Sequence, residues 1–135
     1  MKIFQSILLF LVFGLSFAAD ENTAISHAVD TRIALLQAES GQLDSAIFKL
    51  TTMELTDNEK FELIAEAAFQ ATEEAVASYG MTIKQLYAFE AKHQTEMTAW
   101  LDAHTDQVQQ ISMLESEIES LQSQFDQAIG QRTSE

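Results

Sequence analysis

The stretch Tyr79–Leu86, YGMTIKQL, decides the fold. Gly80 follows an apolar stripe and reads as a helix stop, because glycine alone takes up the left-handed conformation cheaply. Thr82 and Gln85 then have the spacing of a capping box. The threonine hydroxyl accepts from the N–H three residues on, and the glutamine reaches back to the threonine N–H. Met81 and Leu86 flank the box where a hydrophobic staple belongs. One helix ends and another begins with no room for a strand between them.

Upstream, Leu55–Glu59, LTDNE, repeats the device with Thr56 as N-cap and Glu59 as its reciprocal partner. Between the two boxes, Phe61, Ile64, Ala65, Ala68, Thr72, Ala75, Val76 and Tyr79 recur at helical spacing and predict a helix over 57–79 with that stripe facing inward. Further upstream, Ile25, Val29, Ile33, Leu36, Leu43, Ile47 and Leu50 hold one face over about 23–53. Gly41 interrupts that stretch at a cost of about 1 kcal/mol, leaving one bent helix or two as alternatives.

Downstream of Ile83 the chain has no proline, and its next glycine is Gly130. Heptads written from Ile83 place Ile83, Glu90, Met97, His104, Ile111, Ile118 and Phe125 at a. The d positions are Leu86, His93, Trp100, Gln107, Leu114, Leu121 and Ala128. That register runs unbroken, as one long helix would. A turn near Ala103–Asp106, with Asp106 capping a new helix, would instead give helices over 83–104 and 106–129. The expected class is all-α: an antiparallel three- or four-helix bundle or helical hairpin with a coiled-coil-like C-terminal helix.

The N-terminus reads differently. Lys2 is followed by an apolar run from Ile7 to Phe17 and then by Ser16-Phe17-Ala18, with small residues at the positions a signal peptidase reads. A membrane span needs roughly 20 apolar residues, so residues 1–18 are expected to be a cleaved signal peptide. A single helical domain over 19–135 would remain, with no stable membrane anchor. With no cysteine for disulfides, thiol nucleophiles or lipid attachment, and no N-x-Ser/Thr acceptor, a bacterial periplasmic or secreted location is expected.

A net charge of −14 repels nucleic acid and anionic lipid head groups and selects basic or neutral partners. Catalytic signatures are missing: no glycine-rich phosphate loop and no strand–turn–helix nucleophile elbow. The paired carboxylates Glu62/Glu66 and Glu73/Glu74 fit solvent faces of helices. No enzyme activity and no cofactor are expected.

The stretch Phe89–His104, FEAKHQTEMTAWLDAH, holds two of three histidines and the sole tryptophan. Its Glu90-x-x-His93 has the spacing used in di-iron bundles, which need two such motifs and two further glutamates. One copy falls short of a metal set. His93, Met97, Trp100 and His104 otherwise form a half-buried packing seam, or a docking face anchored by Trp100.

LTDNE and MTIKQ also resemble the Leu-Thr-x-x-Gln motif of the Spy/CpxP type of small helical periplasmic stress protein. Glu59 stands for glutamine in the first copy and Met81 for leucine in the second. The resemblance covers ten residues and implies an ATP-independent holdase chaperone. From the residues themselves, the expected function is an exported, non-enzymatic interaction or structural module acting through apolar helix faces. Its interaction seam would be Trp100, Ile111, Leu114, Ile118, Leu121 and Phe125, meeting a protein partner or a second copy in weak self-association. The alternatives are a periplasmic metal-binding protein using His93, His104 and nearby carboxylates, and the holdase.

Overall fold

In the computed structural model, α1 spans Lys2–Thr52, α2 Asp57–Ala77, α3 Ile83–Lys92, α4 Gln94–Asp102 and α5 Thr105–Thr133, and the described residues form no strand. The structure describes the backbone of residues 2–133 and the side chains of residues 21–66 and 71–130. The signal segment and its cleavage position lie outside the described side chains. Among the described residues, no helix is long and apolar enough to cross a membrane.

Both capping boxes form. The Thr56 hydroxyl accepts from the Glu59 N–H at 3.2 Å, and the Thr56 N–H donates to the Glu59 carboxylate at 2.8 Å. Thr82 and Gln85 make the same reciprocal pair at 3.0 and 3.1 Å. Between them, α2 ends in a Schellman pattern: the Met81 N–H reaches the Val76 carbonyl and the Gly80 N–H the Ala77 carbonyl. Gly80 sits at φ 77°, which only glycine occupies without strain.

α1 is the spine. It passes through Gly41 without a break and buries two adjacent rows. One row is Val29, Leu36, Leu43 and Leu50; the other is Ala28, Leu35 and Ala46. The arc is wider than the stripe read from sequence because two helices pack against α1, α2 on one side and α5 on the other. Thr31, fully buried within this arc, donates its hydroxyl to the His27 carbonyl one turn back, so no donor is left unmet.

α2 folds back antiparallel to α1 across the Met53–Thr56 loop. The Gln42 amide donates to the Glu66 carbonyl, and Leu63 is buried near Gln42, Ala46 and Lys49. This register corrects the expected stripe. Leu63 faces inward in the first half of α2, leaving Phe61, Ile64 and Ala65 exposed. In the second half Thr72 and Val76 are buried at their expected positions, while Tyr79 stays exposed. Ala68 lies outside the described side chains.

α3 and α4 carry the chain across the first half of α1. Ile25 shares a cleft with Trp100 and His104, and Val29 and Arg32 share another with Ile111 and Glu115. Both sequences ascend together, so α5 runs in the same direction as α1. Among the described residues, α2 and α5 each pack on α1 but their backbones do not meet.

Candidate functional site

The expected helix over 83–104 is broken at His93, which ends α3 and begins α4 with φ −112° and ψ 28°. No glycine or proline marks the break. Tertiary anchors on either side do. Glu90 is held by Arg32 of α1 in a bidentate pair, Arg32 Nε to Glu90 Oε2 at 3.1 Å and Arg32 Nη2 to Glu90 Oε1 at 2.5 Å. Beyond the break, Met97 is buried and Trp100 and Leu101 pack against the same core. Arg32 also lies over the Tyr87 ring, 5.2 Å from its centroid.

A second break follows at Ala103–His104, so the chain does turn within AHTD. The cap is not Asp106, which sits inside the first turn of α5. His104 ends α4 instead. Its Nδ1 donates at 2.6 Å to the Trp100 carbonyl, which also accepts the Ala103 N–H. Its ring stacks on the Trp100 indole, centroids 3.6 Å apart and planes within 6°. The Phe89 and His93 rings also meet, centroids 4.4 Å apart but tilted by 34°. Each break therefore carries an aromatic–x3–histidine pair, a sequence signal that the heptad reading passes over.

These breaks rearrange the sequence motif. Glu90 is committed to Arg32, so Glu90 and His93 do not act together as a ligand pair. A glutamate from α1 takes that place: ligand atoms of Glu21, His93 and Glu96 all lie within 4.8 Å of one another. Glu21 and Glu96 also line an open cleft of about 580 Å³ with Asn22, Ile25, Trp100 and His104.

The six residues of the expected interaction seam divide into two groups. Ile118, Leu121 and Phe125 are buried in the core that α5 shares with α1, while Trp100, Ile111 and Leu114 are half-buried against it. Among the described residues the exposed large apolar side chains lie outside the seam, among them Tyr87 on α3, Val108 and Met113 on α5, and a group near the α1–α2 loop. Phe48 is 65% exposed and Phe61 72%, and with Met53 and Ile64 they flank the loop of the α1–α2 hairpin. Sequence reading missed His27, whose Nε2 donates to the Tyr79 carbonyl at 2.6 Å where α2 ends.

The two Leu-Thr-x-x-Gln-like segments are accounted for, residue by residue, by the N-caps of α2 and α3. No protein-family model matches the chain, and neither does any curated protein or solved structure.

Proposed function

We propose that the chain is an exported, non-enzymatic helical interaction module that engages a neutral or cationic apolar segment of a partner protein. The observation that carries this reading is the exposure of four large apolar side chains near the α1–α2 loop, Phe48, Met53, Phe61 and Ile64. Exposed apolar side chains that gather on a small domain mark interaction surfaces, whereas single scattered ones do not. Here the aromatic side chains are interspersed with Glu54, Asp57, Glu59 and Glu62 on a chain of net charge −14. A cationic amphipathic helix complements both features: its apolar face meets the phenylalanines and its basic residues meet the carboxylates.

The C-terminal seam supports the same choice of surface, because its most apolar members are occupied by α1. Lys2, the apolar run and Ser16-Phe17-Ala18 support delivery to the periplasm or the exterior, with a mature N-terminus at Ala19 or Asp20.

The test is a titration with a fluorescent lysine- and leucine-rich helical peptide, beside a glutamate-for-lysine version of the same peptide. Binding of the basic peptide alone, weakened by salt and lost in Phe48→Ser/Phe61→Ser with an unchanged melting temperature, is the expected result. Equal binding of both peptides, or no effect of the double substitution, refutes the assignment. Suppression of client aggregation that survives the same substitution would favour a holdase acting through another face.

A further inference from the structure

We propose that Glu21, His93 and Glu96 form a site for a first-row divalent metal ion of the zinc class, independent of the interaction surface at the hairpin tip. The three residues come from two separate parts of the fold, α1 and the α3–α4 junction, and place an imidazole nitrogen and two carboxylate oxygens within 4.8 Å of one another. The ion pairs formed among the described residues are Arg32–Glu90 and Lys60–Asp57, and no described basic side chain is paired with Glu21 or Glu96. Two carboxylates are brought together at a half-buried imidazole without a cation to offset them.

The state of the histidine is the second observation. His27 and His104 each commit a ring nitrogen to a backbone carbonyl. His93 does not. Its ring packs against Phe89 at a tilt of 34°, and neither nitrogen is engaged in a hydrogen bond among the described residues. It is the histidine with both nitrogens free, and it is the one beside the carboxylates.

The donor set selects the class of ion. An imidazole with two carboxylates suits zinc, cobalt, manganese or ferrous iron, whereas calcium and magnesium prefer oxygen alone. Zinc binds nitrogen and oxygen at about 2.0–2.2 Å, which places tetrahedral ligands roughly 3.4 Å apart. From within 4.8 Å of one another, the three groups would close by up to about 1.4 Å to reach that spacing. Two of the three, Glu21 and Glu96, line the cleft shared with Trp100 and His104, which leaves a further ligand to come from solvent. Three protein ligands and one open position are the arrangement of an accessible site rather than a closed structural one.

The test is isothermal titration of the protein with zinc chloride, supported by the visible spectrum of the cobalt complex. One equivalent should bind, and Glu21→Gln, His93→Gln and Glu96→Gln should each weaken it about tenfold or more. The intense cobalt bands expected of a four-coordinate site with a nitrogen donor should disappear in His93→Gln. Glu90→Gln is the discriminating variant, since local spacing along the helix would choose Glu90 as the ligand and the fold chooses Glu21. Retained affinity in Glu90→Gln and lost affinity in Glu21→Gln support the site. The reverse pattern overturns it, as does zinc affinity in the wild type no tighter than that of the His93→Gln protein. Circular dichroism on every variant separates lost ligation from lost fold.

Discussion

Replacing Ile118 with alanine tests whether the α1–α5 contact holds the domain together. Ile118 is 6% exposed and belongs to the same core cluster as Leu36, Leu43, Leu121 and Phe125. The substitution removes three carbons. At about 0.8 kcal/mol per buried methylene the transfer loss is about 2.4 kcal/mol, and a cavity that the surrounding helices only partly close brings the total to about 3 kcal/mol. A domain of this size loses roughly 4 °C of melting temperature per kcal/mol, so a fall of about 10–15 °C is expected. Met113, on the same helix and 73% exposed, supplies the control. Met113→Ala should change stability by less than about 0.5 kcal/mol. Thermal melts at 222 nm give the stability, and sedimentation velocity gives the mass. Melting temperatures for the two variants within about 2 °C of each other would refute the reasoning. So would a dimeric wild type that Ile118→Ala converts into an equally stable monomer, because the seam would then face a second copy rather than α1.

Two glycines should respond in opposite directions. An added Cβ at Gly41 or Gly80 meets nothing within 4 Å. Gly41→Ala in mid-helix should therefore raise stability by about 0.5–1 kcal/mol, while Gly80→Ala, at φ 77°, should lower it by about 1–2 kcal/mol; both are read from chemical denaturation. Thr82→Ala removes the acceptor for the Gln85 N–H and should cost about 1 kcal/mol, whereas Thr82→Ser should restore most of it. A double-mutant cycle on Arg32 and Glu90, whose side chains are each 23% exposed, should return a coupling of about 1 kcal/mol that shrinks in high salt.

The parts of the fold encoded locally were legible in the sequence. Thr56, Glu59, Thr82 and Gln85 satisfy one another's backbones within four residues, and Gly80 answers a local steric demand, so spacing alone located the ends of α2 and the start of α3. The inward face of α1 and of the last part of α5 followed from periodicity for the same reason. Long-range partners were not legible. Phe61 and Ile64 are as apolar as Leu63, yet it is Leu63 that α2 turns inward, beside Gln42, Ala46 and Lys49 of α1. The break at His93 carries no glycine, proline or capping box, and the contacts on either side of it, Arg32 with Glu90 and the core with Met97, are long-range. The candidate site shows the same division. Its histidine stood out in the sequence, but Glu90 was its obvious neighbour only along the helix, and Glu21 becomes its neighbour only when the chain folds.

The hub-like position of α1 has a consequence for the order of events during synthesis. Among the described helices it is made before the others and is the one that packs against all of them. α2 is available to cover one of its buried rows soon afterwards, as the next element in the chain. The row served by Ile118, Leu121 and Phe125 waits until ~80 further residues have been added. At roughly 5–20 residues per second that interval is on the order of 4–16 s. Throughout it, Leu36 and Leu43 have no α5 to bury them, so the nascent chain passes through a stage in which a half-covered hairpin is its most complete structure, and any factor that shields the chain before it folds would meet that row of α1.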